Sequence, residues 1–138
     1  MFLDGLVSFL QANTGVAAQI GNRLMPAPNT AQPPVYPFTA FTFMPAAAES
    51  RTMESKILRK ARIQFDHTGR LSTCEVVANA FLQALDTYVG LLPDGSYVAV
   101  CEEDGGVTGP TGVIDPTLGT ISKWSQDFVF QYRDAADG

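Results

Sequence analysis

The sequence predicts an α+β fold in which a largely antiparallel sheet of about four strands carries two helices packed on one face. Its segments read helix, strand, strand, helix, strand and strand over 138 residues. This order lacks the strand–helix–strand repetition that builds a parallel sheet. The length fits one domain. We therefore predict a single domain over residues 1–133 and a disordered C-terminal tail over residues 134–138.

The N-terminal segment predicts an amphipathic helix over residues 2–12. Its apolar residues recur at helical spacing and form one stripe: Phe2, Leu6, Phe9 and Leu10. Asn13-Thr14-Gly15 is typical of a helix end. A short helical turn then runs from Val16 to Ile20 and is closed by Gly21.

A proline-rich segment separates this start from the first strand. Residues 26–37 hold five of the nine prolines, and proline fixes φ and removes a backbone donor. We expect an extended, polyproline-like loop here, followed by a strand over residues 38–44. Pro45 and three alanines end that strand.

The next two elements are a strand and the best-defined helix. Residues 57–66 alternate between apolar and polar side chains, which is typical of a strand with one buried face, and His67-Thr68-Gly69 predicts a turn. Ser72-Thr73-Cys74-Glu75 matches the capping box that starts a helix. An apolar stripe follows, and Gly90 stands where the helix is expected to stop.

Two strands complete the predicted sheet. Pro93-Asp94-Gly95 indicates a turn, after which residues 96–102 alternate as a strand. Residues 103–119 are rich in glycine and acids and predict a mobile connection. The last strand, over residues 121–133, carries an aromatic stripe that Gln126 interrupts.

The composition is poor in charged residues. Only 17% of residues are charged and 46% are hydrophobic, against roughly 25% charged in an average domain. A partner surface and a large core both explain this shortage of charge. The net charge of −5 argues against a protein that binds nucleic acid by overall electrostatics.

Charge is unevenly distributed along the chain. A basic segment and an acidic segment are suited to head-to-tail contacts between identical subunits, although both can equally be solvated surfaces. The subunit-interface candidates are the basic residues Arg51, Lys56, Arg59, Lys60 and Arg62 and the acidic residues Glu102, Glu103 and Asp104.

The two cysteines, Cys74 and Cys101, are too few for a disulfide framework and have no metal-like spacing. We expect reduced thiols and a cytoplasmic site of synthesis. The N-terminus has neither a basic leader region nor an unbroken apolar stretch, so we expect no signal peptide and no membrane span.

No pattern in the sequence indicates catalysis, a metal site or a cofactor. His67 is the only histidine, and we interpret it as a surface turn residue in preference to a catalytic base. Cys74 is interpreted as a packed thiol in preference to a reactive one. The glycine-rich stretch 105–112 lacks the lysine of a phosphate loop, and the acids near residue 103 match no calcium loop.

Three stretches together resemble a family of small tail-completion proteins of long-tailed phages, prophages and gene-transfer particles. They are Ile20-Gly21-Asn22-Arg23-Leu24-Met25-Pro26, Pro37-Phe38-Thr39-Ala40-Phe41 and Ala61-Arg62-Ile63-Gln64-Phe65-Asp66. The order and spacing of the pieces match from about Leu3 to Arg133. His67 departs from the family pattern, in which an aromatic or small residue would continue the strand.

The resemblance implies a virion structural protein without catalytic residues. It implies a homo-oligomeric, often six-membered, ring at the head-proximal end of the tail, which terminates tail-tube polymerisation and joins the tail to the head connector. DNA would only pass through the lumen, although basic residues lining that lumen are an alternative to the subunit interface. Other hypotheses are another neck or connector component, or a small ligand-binding module or enzyme that uses His67, Cys74 or the acidic segment.

Overall fold

A seven-stranded sheet forms the centre of the protein in a computed structural model, which describes residues 1–27, 35–45, 50–51, 57–115 and 119–137. The strands are β1 (Leu24–Pro26), β2 (Phe38–Pro45), β3 (Ser50–Arg51), β4 (Ile57–Gly69), β5 (Gly90–Leu91), β6 (Tyr97–Asp115) and β7 (Gly119–Arg133). Their order is β1-β2-β4-β7-β6-β5, and β3 pairs with β4 off this path. Only β1 and β2 are parallel. The predicted, largely antiparallel α+β fold is therefore confirmed, but the strand number is not, because three strands of two or three residues were missed.

The described residues form three α-helices, where the sequence predicted two helices and a short helical turn: α1 (Phe2–Ala12), α2 (Thr14–Ile20) and α3 (Leu71–Leu85). Helix α3 packs against β4, β6 and β7, and α2 packs between α1 and α3. Asn13 ends α1 and starts α2, since its side chain accepts a hydrogen bond from the Val16 amide at 3.1 Å. This is the N-cap interaction that satisfies a free amide of the first turn.

The predicted bounds of α3 were wrong at both ends. The helix begins at Leu71, with Arg70 at the N-cap and no side-chain cap. Ser72 and Glu75 therefore lie inside the helix and form no capping box. It ends at Leu85 because the amide of Thr87 donates to the carbonyl of Cys101 at 2.8 Å, which draws the chain to β6. Gly90 belongs to β5.

Strand β4 continues through the residues that were predicted as a turn. Thr68 pairs with Phe38 of β2, and Gly69 pairs with Ser122 of β7. Because both neighbouring strands supply hydrogen-bond partners, the chain stays extended to Gly69. His67 consequently lies in the interior and is fully buried.

Strand β6 replaces the mobile connection predicted over residues 103–119. It pairs with β7 as far as Asp115, and its register shifts between Glu103 and Val107 and again between Thr108 and Thr111. Gly105 lies in the first shift and has a φ of 84°, a conformation that favours glycine. The glycines thus indicate β-bulges. Residues 116–118 lie outside the described residues, as does most of the predicted proline-rich loop.

The two ends of the chain are joined to each other. The amide of Phe2, at the start of α1, donates to Asp134 Oδ2 at 3.0 Å. The amide of Ala135 donates to Ser96 Oγ at 3.0 Å, and a short 3₁₀ helix covers Ala135–Asp137. Asp134 thus satisfies a free amide at the helix start, and Asp134 and Ala135 are hydrogen-bonded to the rest of the domain.

Helix α1 approaches the turn before β6 so closely that Gly5 has no room for a side chain. A Cβ atom there would lie 2.1 Å from Asp94 Oδ1. Asp94 is not free to move, because it accepts hydrogen bonds from the Ser96 amide and hydroxyl at 3.0 and 2.7 Å. Burial by itself raises the pKa of Asp94, but the bonds from Ser96 and the N-terminal ammonium outweigh it and lower the pKa.

We expect Gly5→Ala to lower the free energy of unfolding by about 1–3 kcal/mol, the usual cost of overpacking. The opposite result follows if helix propensity dominates, because alanine is favoured over glycine in helices by about 1 kcal/mol. Urea unfolding measures the change. In an Asp94→Ala background the penalty should shrink, and an equal penalty in both backgrounds would disprove the clash.

Candidate protein–protein interface

The sheet has one face covered by helices, here called the inner face, and one opposite, the outer face. Along β7, Phe128, Phe130 and Tyr132 are buried on the inner face. Asp127 and Arg133 alternate with them and lie partly exposed on the outer face. Cross-strand partners share a face in an antiparallel sheet, so the pairing assigns the remaining residues.

Arg62 and Asp104, two of the predicted interface residues, meet within one chain. Arg62 Nη2 donates to Asp104 Oδ2, and Arg62 Nη1 donates to Asp127 Oδ2 at 3.1 Å. The hydrogen bond that Arg62 donates to Asp104, and then the one that it donates to Asp127, raise the pKa of Arg62. The basic and acidic segments are therefore neighbours on the outer face. The charges of Arg62 and Asp104 are paired within the subunit.

The other predicted residues are divided between surfaces. Lys60 and Glu102 lie on the outer face, where their partners are Gln131 and Val129. Glu103 pairs with the inward-facing Phe128 and accepts a hydrogen bond from Gln126. Arg59 lines a pocket beside Phe2 and Tyr132. For Arg51 the structure describes only the backbone, and Lys56 lies outside the described residues.

A buried hydrogen-bond chain runs through His67. His67 Nδ1 contacts Thr39 Oγ1 at 2.8 Å, and His67 Nε2 contacts Gln126 Oε1 at 2.9 Å. Gln126 Nε2 donates to the carbonyl of Ala78 at 3.1 Å and to Glu103 Oε2 at 2.7 Å. Because both amide hydrogens of Gln126 are used, its oxygen must accept from His67 Nε2–H, and Nδ1 accepts from Thr39.

This arrangement suits a neutral, structural histidine. Burial lowers the pKa of His67 to about 4, against smaller opposing effects of Gln126 and Asp66. Both ring nitrogens are occupied, and the ring packs on Phe81 with centroids 4.7 Å apart. The prediction of a surface turn residue was wrong. Gln126, the polar break in the aromatic stripe of β7, was the sequence signal for this chain.

The two cysteines are free and buried. Cys74 Sγ donates to the carbonyls of His67 and Ser122 at 3.5 and 3.4 Å, and burial raises its pKa to about 11. Burial, with smaller effects of Asp86 and Glu102, raises the pKa of Cys101 to about 12. Both are therefore packed thiols with little thiolate at neutral pH.

The described residues offer neither a metal site nor a membrane helix. Within them, no three or more His, Cys, Asp or Glu side chains are grouped so that they could hold a metal ion. None of the helices described combines the length and the apolar character needed to cross a bilayer.

A groove of about 390 Å³ lies between α3 and the inner side of the β6–β7 pair. We call it the α3 groove; its lining residues are Glu75, Val76, Ala78, Asn79, Leu82, Glu103, Trp124 and Gln126. Val76 is 48% exposed. The indole Nε1 of Trp124 is buried and has no hydrogen-bond acceptor among the described residues. The groove therefore combines an apolar wall with two carboxylates and an unused donor.

A second surface lies on the outer face. Leu91 pairs with Tyr97, which pairs with Arg133, and Lys60 lies one row further along the sheet, opposite Gln131. Leu91 and Tyr97 are 64% and 36% exposed. We call Lys60, Leu91, Tyr97 and Arg133 the basic patch. Like the α3 groove, it combines exposed apolar groups with charges of one sign.

The fold is shared with a protein of a virus-like particle. It is similar to a chain of the "virion of native gene transfer agent (GTA) particle", with a TM-score of 0.61, 11% sequence identity, and coverage of 92% of this chain and 90% of that chain. At this identity the likeness establishes the fold alone. The sequence matches no protein-family model, and it matches no curated protein at a significant level.

Proposed function

We propose that the protein is a structural component of a phage-like particle, a tail-completion protein that acts as a homo-oligomeric ring, by our expectation a hexamer. The ring ends tail-tube polymerisation at the head-proximal end and contacts both the tube protein and the head connector. The observation that carries this proposal is a fold shared over nearly the whole chain with a gene-transfer-particle virion protein. The sequence resemblance to tail-completion proteins supports the more specific role.

The chemistry of the described side chains fits a protein that works by contact and not by catalysis. Two of the groups that the sequence offered for reaction, His67 and Cys74, are buried and hydrogen-bonded. What the surface offers instead is exposed apolar side chains beside charges. Exposed apolar side chains that lie next to each other, as Leu91 and Tyr97 do, are suited to contacts with other proteins.

DNA would pass the ring without being held by it. Among the described side chains, the outer face carries both signs in equal number: the cations are Lys60, Arg62, Lys123 and Arg133, and the anions are Asp66, Glu102, Asp104 and Asp127. Tight contact with phosphates requires a net positive footprint. The protein would work in the tail or neck of the particle, after synthesis in the host cytoplasm.

The test is the length and the end structure of tails assembled with and without the protein. Without it, we expect tubes of uncontrolled length that fail to join heads; adding purified protein should cap tube ends as rings visible by negative stain. Native mass spectrometry gives the number of subunits. A protein that remains monomeric at all concentrations and never attaches to a tube end would disprove the proposal.

Another neck or connector component of the same particle is the competing structural role, because the same fold likeness supports it. Gold-labelled antibody distinguishes the two. A label at the tube end is expected for a tail-completion protein, whereas a label confined to tail-free heads would identify a connector component.

A further inference from the structure

We infer that two copies of this chain bind head-to-tail, with the α3 groove of one copy receiving the basic patch of the next. The inference rests on the proposed function and assigns the two surfaces that would close its ring. A ring needs two different patches on each subunit. The α3 groove lies on the helix side of the sheet and the basic patch on the outer face, so they meet this requirement.

The α3 groove is suited to a cation with an apolar neighbour. Glu75 is exposed, and the carboxylate of Glu103 reaches the groove from β6, bound on one oxygen by Gln126. Between them, Val76 and Leu82 supply an apolar wall and Trp124 an indole. An ammonium or guanidinium group gains both from the carboxylates and from the face of an indole.

The basic patch supplies such cations, and the part of the chain that the structure describes gives them no partner. Lys60 and Arg133 form no ion pair or hydrogen bond through their side chains with any residue that the structure describes. Their neighbour Arg62, in contrast, already binds Asp104 and Asp127. Exposed Leu91 and Tyr97 lie beside Arg133. The patch therefore matches the α3 groove in charge and in apolar character.

Two further described cations, Arg23 and Lys123, are engaged elsewhere. Arg23 donates to the carbonyls of Pro37 and Gln19 at 2.7 and 3.3 Å, and Lys123 lies 3.8 Å from Asp66. Because the chain carries a net charge of −5, copies repel one another unless local pairing opposes that repulsion. The cations of the basic patch and the acids of the α3 groove would provide this local pairing.

Charge reversal tests the contact, with association measured by light scattering after size exclusion. We expect Glu75→Lys and Lys60→Glu each to weaken association at least about tenfold, the effect of about 1.4 kcal/mol. Both residues are solvent-accessible, and Glu103 is left unchanged because it holds Gln126. An equimolar mixture of the two variants should regain association, since each groove then meets a patch of opposite charge. The double variant should regain it as well.

The control is Glu102→Lys, which reverses an exposed acid outside both surfaces and should associate as the wild type does. Single variants that associate normally, or a mixture that fails to regain association, would overturn the inference. So would Glu75→Lys rings that form normally but no longer attach to tubes, because the α3 groove would then bind the tube protein. Each of these outcomes concerns a variant, and the proposed function stands as long as the wild type still forms rings. A wild type that never self-associates or caps tubes disproves the proposed function itself.

Discussion

Replacing Phe2 with alanine is expected to lower the free energy of unfolding by about 3–5 kcal/mol, although the residue is second in the chain. Its ring is 1% exposed. It stacks on Tyr132 with centroids 3.7 Å apart and meets the edge of Phe130 at 5.5 Å. The loss would combine buried apolar area, aromatic contact and the cavity left between α1 and β7. Chemical unfolding followed by circular dichroism measures it.

Phe2→Leu is the matched control, because leucine keeps most of the apolar volume but cannot stack. It should cost clearly less than Phe2→Ala. A double-mutant cycle with Tyr132→Leu should give a coupling of about 0.5–1.5 kcal/mol, the usual value for an aromatic pair. If Phe2→Ala leaves global stability unchanged and only increases hydrogen exchange in α1, the first helix is an appendage and not part of the cooperative core.

Elements with a local sequence pattern were predicted correctly. The predictions failed where the structure depends on strand pairing between residues that are far apart in the sequence. The long strands and the helices were found because their apolar spacing is visible within a few residues. Whether His67 continues a strand depends on strand partners that are distant in the sequence, Thr39 of β2 and Trp124 of β7. In the same way, the glycines of β6 suggest a loop when the sequence is considered alone. In the structure they lie at β-bulges in the pairing of β6 with β7.

The charged segments suggested an interface, but which of their side chains are available for one depends on the fold. A basic and an acidic segment were evident, yet Arg62 and Asp104, 42 positions apart, pair inside the chain. Lys60 and Glu103 were among the predicted residues, whereas Glu75 and Arg133 were not. The sequence analysis assigned Glu75 to a capping box. The structure instead places Glu75 inside α3, where it lines the α3 groove. Which charges remain unpaired is a property of the folded chain.

Acid is expected to remove about 3 kcal/mol of stability through His67 alone. The pKa of His67 is lowered from 6.5 to about 4 in the folded protein, so the unfolded chain binds the proton more tightly. The contribution of neutral His67 is fully present above pH 6.5 and is lost as the pH falls from 6.5 towards 4. One pKa unit corresponds to about 1.4 kcal/mol, which gives the size of the effect over this range.

His67→Gln separates this effect from the titration of the carboxylates. Glutamine can still donate and accept but does not titrate, so the variant should be less stable than the wild type at pH 7, by roughly 1–3 kcal/mol for the lost packing and hydrogen bonds. The difference in unfolding free energy between the wild type and the variant should then shrink as the pH falls from 6.5 towards 4. Parallel stability curves would mean that His67 is not held neutral by burial.

Because His67 is the only histidine in the chain, its ring protons give a single, unambiguous NMR titration. We expect a midpoint about 4, with the proton on Nε2 above it, as the hydrogen bonds from Thr39 and to Gln126 require. A midpoint near 6.5 would require solvent to reach the ring. In that case the chain from Thr39 to Glu103 would open at ordinary pH, and the wall of the α3 groove that Gln126 supports would open with it.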